Sequence, residues 1–426
     1  MHMRDLSGKS VCILGFGREG QAMLKAMEEE TPEARITIAD ANPQTQHFNY
    51  PVHAGPEYLK NVSGCDVLIK SPGIPPEEIP PDMRAKITNS TQIFLDTAVE
   101  RGAKVIGVTG SKGKSTTASL IAAILKAGGI NAHLVGNIGE PAIAHLNAAE
   151  EGAWFVLEMS SYQLMDTTVS PHIAVITSFF PEHLDYHGTL EAYEEAKRHI
   201  THYQNPKDFV FFDATSPGVE HIAQESKGTR VACKEEDAVV RLEETHLLGT
   251  HNLRNLAIAS MVGEHFGIER QTVRRALIAF HGLPHRLQDL GVHHGIRWVD
   301  DSISTTPQST IAALDALGSA VKTIILGGKD RGLEYRALSQ RMLESSVEQV
   351  ILLGENAERI RKALAESNVH VEISQVESME DAVRLARTRA RSPTPICLLS
   401  PAAPSYDMFK NFEERGDAFA RSALKD

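Results

Sequence analysis

Short runs of β-branched and aliphatic residues recur along the chain, each breaking into a turn of glycine, serine or asparagine before a stretch with helical periodicity. Such runs occupy residues 10–14, 36–39, 66–70, 104–108, 133–136, 154–158 and 173–177. Further runs follow at 209–212, 230–233, 296–299, 324–326 and 396–399. Nearly continuous apolar runs read as strands buried on both faces, and their alternation with helices predicts α/β architecture with largely parallel sheets. The clearest helical patterns cover 18–29, 118–127, 190–203 and 255–266. In open sheets of this kind ligands bind beyond the C-terminal ends of the strands, so the polar residues that follow each run carry the chemistry.

The run at 104–108 passes into Thr109-Gly110-Ser111-Lys112-Gly113-Lys114-Ser115-Thr116-Thr117 and then a helix. Backbone N–H groups gathered at a helix N-terminus, with lysine and hydroxyls beside them, form a phosphate cradle. Val108 stands where the strict G-x-x-x-x-G-K-[ST] pattern requires glycine, so only part of that signature is present. The first run leads into Gly15-Phe16-Gly17-Arg18-Glu19-Gly20, a G-x-G-x-x-G loop opening a helix, and the second ends in Asp40. That acid falls where a dinucleotide-binding unit places its ribose ligand, and Ser71-Pro72-Gly73 follow the next strand. These features predict nucleotide binding without choosing the nucleotide.

Asn137, Glu158, Ser160, Ser161, Gln163, His183, Asp185 and His187 cluster after the middle strands. Glu158, with the loop hydroxyl of Ser115, has the donor chemistry for magnesium on a nucleotide. Lys197, on an amphipathic helix, reads by default as a surface lysine. Asn252 and Asn255 are spaced to share a helix face. Three later strand ends carry Asp301, Thr305, Lys329, Arg331, Ser400 and Ser405, an expected anion-binding rim.

With 426 residues the chain holds two or three domains, and the expected boundaries are 1–97, 98–284 and 285–426. A net charge of −12 argues against a nucleic-acid partner but allows a local pocket for small anions. No apolar run approaches the ~18 residues of a membrane span. The four cysteines lack CxxC spacing and the N-terminal stretch lacks an apolar leader, so a reducing cytoplasm is expected.

Taken with Gly136-Asn137-Ile138-Gly139, residues 157–164, Gly249 to Asn255, Leu283 to Arg286, Asp301-Ser302, residues 326–332 and 399–416, the 109–117 loop resembles the Mur ligases over nearly the whole chain. The resemblance implies an N-terminal Rossmann-like domain, a central P-loop-type ATPase sheet and a C-terminal Rossmann-like domain. It implies ATP-dependent addition of glutamate, D-glutamate favoured, to UDP-N-acetylmuramoyl-L-alanine through an acyl phosphate, for peptidoglycan synthesis. A monomer using ATP and magnesium is expected.

The resemblance also implies roles for residues. Gly110, Ser111, Lys112, Gly113, Lys114, Ser115, Thr116, Asn252, Asn255, Arg286 and Asp301 would bind ATP. Ser115, Glu158, His183 and a carbamylated Lys197 would hold magnesium, and Lys114, His183 and Lys197 would be catalytic. Gly15, Phe16, Gly17, Arg18, Glu19, Gly20, Asp40, Ser71, Pro72, Gly73, Asn137, Ser160 and Gln163 would hold the UDP substrate. Thr305, Arg331, Ser405 and Phe412 would hold glutamate.

Two positions depart from the D-glutamate pattern. Ile303 replaces a lysine, and Arg331 stands where a glutamate-binding lysine is usual; arginine offers a planar fork instead of a point charge. A branch carrying Ser-Ile-Ser-Thr-Thr-Pro, as at 302–307, adds L-glutamate. A rival reading, an NAD-dependent dehydrogenase built on the first glycine loop, leaves the Lys114 loop unexplained.

Overall fold

The computed structural model describes residues 1–47, 49–60, 62–388 and 394–425. Their strands form three sheets. The first contains β1 (Ser10–Leu14), β2 (Arg35–Asp40), β3 (Val52–Ala54), β4 (Val67–Lys70) and β5 (Ile87–Thr88), all parallel in the order β3-β2-β1-β4-β5. The second contains β6 (Lys104–Thr109), β7 (Ala132–Gly136), β8 (Trp154–Glu158), β9 (Ile173–Ile176), β10 (Phe209–Asp213) and β11 (Thr229–Cys233). It too is wholly parallel, in the order β11-β10-β9-β6-β8-β7.

In both sheets the strand order reverses beside the strand that ends in a glycine loop, β1 in one and β6 in the other. Neighbouring crossovers leave such a point on opposite faces and open a crevice for ligand. The helices that matter there are α1 (Arg18–Glu30), α2 (Ser90–Glu100), α3 (Lys114–Ala127), α4 (Ser161–Leu164), α5 (Leu184–His187) and α6 (Leu190–His202). Both sheets belong to one compact unit, residues 1–239 with 254–277, and share a continuous apolar core from Val11 and Ile13 to Val105, Phe155 and Ile176.

The second compact unit comprises 240–253 and 278–425 of the described residues. Its sheet runs β12 (Gln288–His293), β13 (Ile296–Asp300), β17 (Ile396–Leu399), β14 (Val321–Leu326), β15 (Gln349–Leu352) and β16 (Glu372–Gln375). Only the edge strand β12 is antiparallel. The strands β3, β5, β12, β15 and β16 were not among the expected runs: β3, β12 and β16 are only partly buried and mix polar with apolar residues, β5 is two residues long, and β15, although buried, is only four residues long. The helix expected from 255 begins at Asn252.

Candidate active site

The loop between β6 and α3 is shaped by contacts that only small residues permit. A Cβ on Gly110 would lie 2.1 Å from the Thr177 hydroxyl oxygen, and one on Gly113 would lie 2.7 Å from Asn255 Oδ1. Their φ angles, 150° and 88°, also suit glycine. The segment after β9 holds the loop from below. Thr177 Oγ1 donates to Lys112 O at 2.6 Å, Lys112 N donates to Ser178 Oγ at 2.8 Å, and Ser111 N donates to Ser178 O at 2.9 Å. Gly113 caps α3, so the first N–H groups of that helix lack intrahelical partners and converge on the loop. Lys114 Nζ folds back to the carbonyls of Gly110 and Ser111, 2.9 Å from each.

Lys197 reaches the same loop from the inward face of α6, which carries Tyr193, Ala196, Lys197 and Ile200. The side chain is 1% exposed; its Nζ donates to Gly110 O at 2.9 Å and lies 4.8 Å from the centre of the Tyr193 ring. Burial holds its ammonium well below the usual lysine range, Lys114 adds repulsion, and Glu182 opposes both. Glu158 is level with Val108 on the neighbouring strand and is buried. Its Oε1 accepts from Asn137 Nδ2 at 3.4 Å, whereas its buried Oε2 has no hydrogen-bond partner. A buried carboxylate oxygen left without a donor is costly, and a cation relieves that cost.

His183 takes a left-handed conformation, φ 56°, at the start of α5. Its ring lies 5.0 Å from that of Tyr162. Loss of water around the ring lowers its pKa; Glu182 opposes the shift, and Lys114 and Lys197 reinforce it. The imidazole is therefore neutral at pH 7 and free to act as a ligand or acceptor.

At the other switch point, Gly15 and Gly20 serve close packing. A Cβ on Gly20 would lie 2.2 Å from Gly15 O, and one on Gly15 would meet Ser71 at 2.8 Å. Gly17, the cap of α1, faces open space. Asp40 is engaged within this loop, accepting from Phe16 N at 2.5 Å and from Asn42 N at 2.7 Å. Arg18 reaches Gly139 O, and Ser71 Oγ donates to Gly15 O at 3.0 Å. Gln163 is buried, donating to Glu19 at 2.7 Å and bracing the Ser160 cap of α4, so Glu19 and Gln163 bind each other.

In the second unit the strand ends converge on buried polar groups. Asp301 accepts from Ser304 Oγ at 2.5 Å, Ser400 Oγ at 2.8 Å and Leu287 N at 3.2 Å, and burial pushes its carboxyl up to about 6. His285 Nδ1 pairs with Asp300 at 2.8 Å, which raises the imidazole pKa. Arg415, 1% exposed, donates to Ser302 O at 2.8 Å and Ala403 O at 2.9 Å and so joins two of these loops. Ser405 is buried, Ile303, Thr305 and Phe412 are half-buried, and Arg286 and Arg331 are exposed. The Arg331 guanidinium sits 5.7 Å from the Tyr406 ring centre.

Residues 108–240 match the Mur ligase middle domain, and residues 285–402 match the Mur ligase glutamate ligase domain. A protein of Symbiobacterium thermophilum named UDP-N-acetylmuramoylalanine–D-glutamate ligase is 36% identical over 96% of each chain. The chain belongs to the Mur ligase family. A protein of Salinispora tropica named UDP-N-acetylmuramoyl-L-alanine–L-glutamate ligase is 33% identical over 99% of each chain. The fold of this Mur ligase resembles that of the Thermotoga maritima UDP-N-acetylmuramate–alanine ligase, with TM-score 0.59, 17% identity and coverage of 97% and 98%. It also resembles a Thermotoga maritima MurF ligase solved with ADP, with TM-score 0.58, 14% identity and coverage of 100% and 97%.

As a Mur ligase the chain is an ATP-dependent enzyme that forms an amide bond. The structure brings Lys114, Lys197 and the 110–113 loop together, with Asn255 accepting from Thr117 Oγ1 at 3.1 Å behind it. Asn252 Nδ2 instead donates to Leu248 O at 2.8 Å. Lys70, Asp166, Tyr186 and Arg415 drew no role from the sequence, although each is tied into polar contacts at these strand ends.

Proposed function

We propose that this Mur ligase joins glutamate, D-glutamate favoured, to the alanyl carboxylate of UDP-N-acetylmuramoyl-L-alanine in peptidoglycan precursor synthesis. The observation that carries the reading is the cradle at Gly110 to Lys114, with Lys197 bonded to it and the unpaired Glu158 oxygen on the adjoining strand. ATP phosphorylates the carboxylate. The glutamate amine then attacks the acyl phosphate, and the tetrahedral intermediate expels phosphate. This chemistry asks the protein for positioning and charge neutralisation.

The α3 N-terminus and Lys114 neutralise the transferring phosphoryl group, and neutral His183 donates its N–H to the reacting carboxylate or ligates a cation beside it. Glu158, Ser115, His183 and carbamylated Lys197 would hold magnesium, which when bound supplies further positive charge to the phosphoryl oxygens. Carbamylation needs an uncharged amine, and burial favours that form at Lys197; the amine bonds to CO₂ carbon and releases a proton. Asn252, Asn255, Arg286 and Asp301 would bind the nucleotide. The Gly15 to Gly20 loop, Asp40, Ser71 to Gly73, Asn137 and Ser160 hold the UDP substrate. The enzyme acts as a cytoplasmic monomer with domains 1–97, 98–284 and 285–426.

Thr305, Ser405, Phe412 and the Arg331 fork support a glutamate pocket. A second reading, L-glutamate, is favoured by Ile303 within Ser302-Ile303-Ser304-Thr305-Thr306-Pro307, where a cation is lost. Turnover with each enantiomer tests the choice: the proposal expects D-glutamate to be used, and activity with L-glutamate alone would replace it with the second reading.

A further inference from the structure

Lys70 is the last residue of β4, after the apolar Val67, Leu68 and Ile69, and is 1% exposed. Burying the polar end of a lysine this deeply is costly unless it finds partners. Its ammonium forms an ion pair with Asp166 Oδ2 at 2.9 Å and donates to Ile74 O at 3.1 Å and to the Tyr186 hydroxyl at 3.5 Å. Tyr186 in turn shares its proton between Pro72 O at 2.8 Å and Ile74 O at 2.9 Å. Its ring packs edge-on against Tyr162 at 4.2 Å. Burial raises the Tyr186 pKa, so the hydroxyl stays protonated and donating across the working pH range.

Three segments meet on this one ammonium. Ser71 to Ile74 is the loop after β4; Asp166 follows α4, the helix capped by Ser160; Tyr186 lies on α5, three residues after His183. We propose that Lys70, Asp166 and Tyr186 form a positioning unit that fixes the uridine-side loop, the Ser160 turn and the His183 turn in one register. Binding of the UDP substrate at the first sheet then sets where its carboxylate meets the phosphoryl donor at the second. The inference rests on the proposed identity of that substrate. It concerns residues argued to act through their neighbours and not by touching reacting atoms.

The geometry separates this role from simple packing. Tyr186 donates to two carbonyls of a loop that already has its own hydrogen bond from Ile74 N to Ser71 O, so removing the hydroxyl loosens the register without unfolding the loop. The test is steady-state kinetics of Tyr186→Phe and Lys70→Met, each compared with the wild type for UDP-N-acetylmuramoyl-L-alanine, ATP and glutamate. Tyr186→Phe should raise KM for the UDP substrate and lower kcat, together costing about tenfold in kcat/KM, the scale of one or two hydrogen bonds. KM for ATP and the melting temperature should stay near wild type. Lys70→Arg should recover part of what Lys70→Met loses.

Wild-type kcat and KM for the UDP substrate in a folded Tyr186→Phe would overturn the inference. So would an equal rise in all three KM values, which marks a general structural effect. If Lys70→Met does not fold, Tyr186→Phe still decides the matter. A wild-type enzyme that fails to use the UDP substrate would instead refute the substrate reading.

Discussion

Asp301 is almost wholly enclosed, and loss of water raises its carboxyl to about 6 even though two hydroxyls and an N–H donate to it. Between the ordinary carboxyl value near 4 and this raised one, the folded chain binds more protons than the unfolded chain. Stability therefore falls as pH rises through that window, and by pH 7 the residue has cost about 3 kcal/mol relative to acid conditions. Urea unfolding of wild type and Asp301→Asn at pH 4 and pH 7 checks this. The stability difference between the two proteins should shift by roughly that amount in favour of the variant on going to pH 7; a pH-independent difference would contradict it. Lys114 is a second residue with a separable effect. Lys114→Met should lower kcat/KM by about 100- to 1000-fold, the scale of losing one preorganised charge contact, with little change in melting temperature, since the side chain is half-buried and its ammonium folds back onto the carbonyls of Gly110 and Ser111.

At the scale of elements, the two glycine loops differ in what they ask of each glycine. Gly20→Ala forces a methyl into Gly15 O and should destabilise by about 2–4 kcal/mol, because α1 cannot move away from β1 without opening the core. Gly17→Ala meets open space at φ −74° and should stay within about 1 kcal/mol of wild type, which thermal melts of both variants would show. This contrast was hidden in the G-x-G-x-x-G spelling, which treats its glycines alike. The strands and the 109–117 cradle were legible because apolar runs and a glycine-lysine-serine turn are local patterns. Lys197 was not, since lysine on an amphipathic helix normally faces water. The signal was present in the 193, 196, 197, 200 stripe that places it inward. Lys70, Asp166 and Tyr186 meet across more than one hundred residues of chain, beyond the reach of any local pattern.

For the whole molecule, the fold puts each glycine loop where its sheet reverses order, the place where crevices open in sheets of this kind. The second unit repeats the arrangement around β13, β17 and β14, whose ends carry Asp301, Gly327 and Ser400. A ligase needs such separate sites, because the nucleotide, the acid and the amine must each be held and the reactive acyl phosphate kept from water.

The most direct test of the central claim is phosphate release from ATP by the purified chain with UDP-N-acetylmuramoyl-L-alanine and glutamate supplied singly and together. The account predicts sustained release, matched one for one by amide product, only when both are present. ATP hydrolysis unaffected by either substrate, or turnover with neither enantiomer of glutamate, would contradict it.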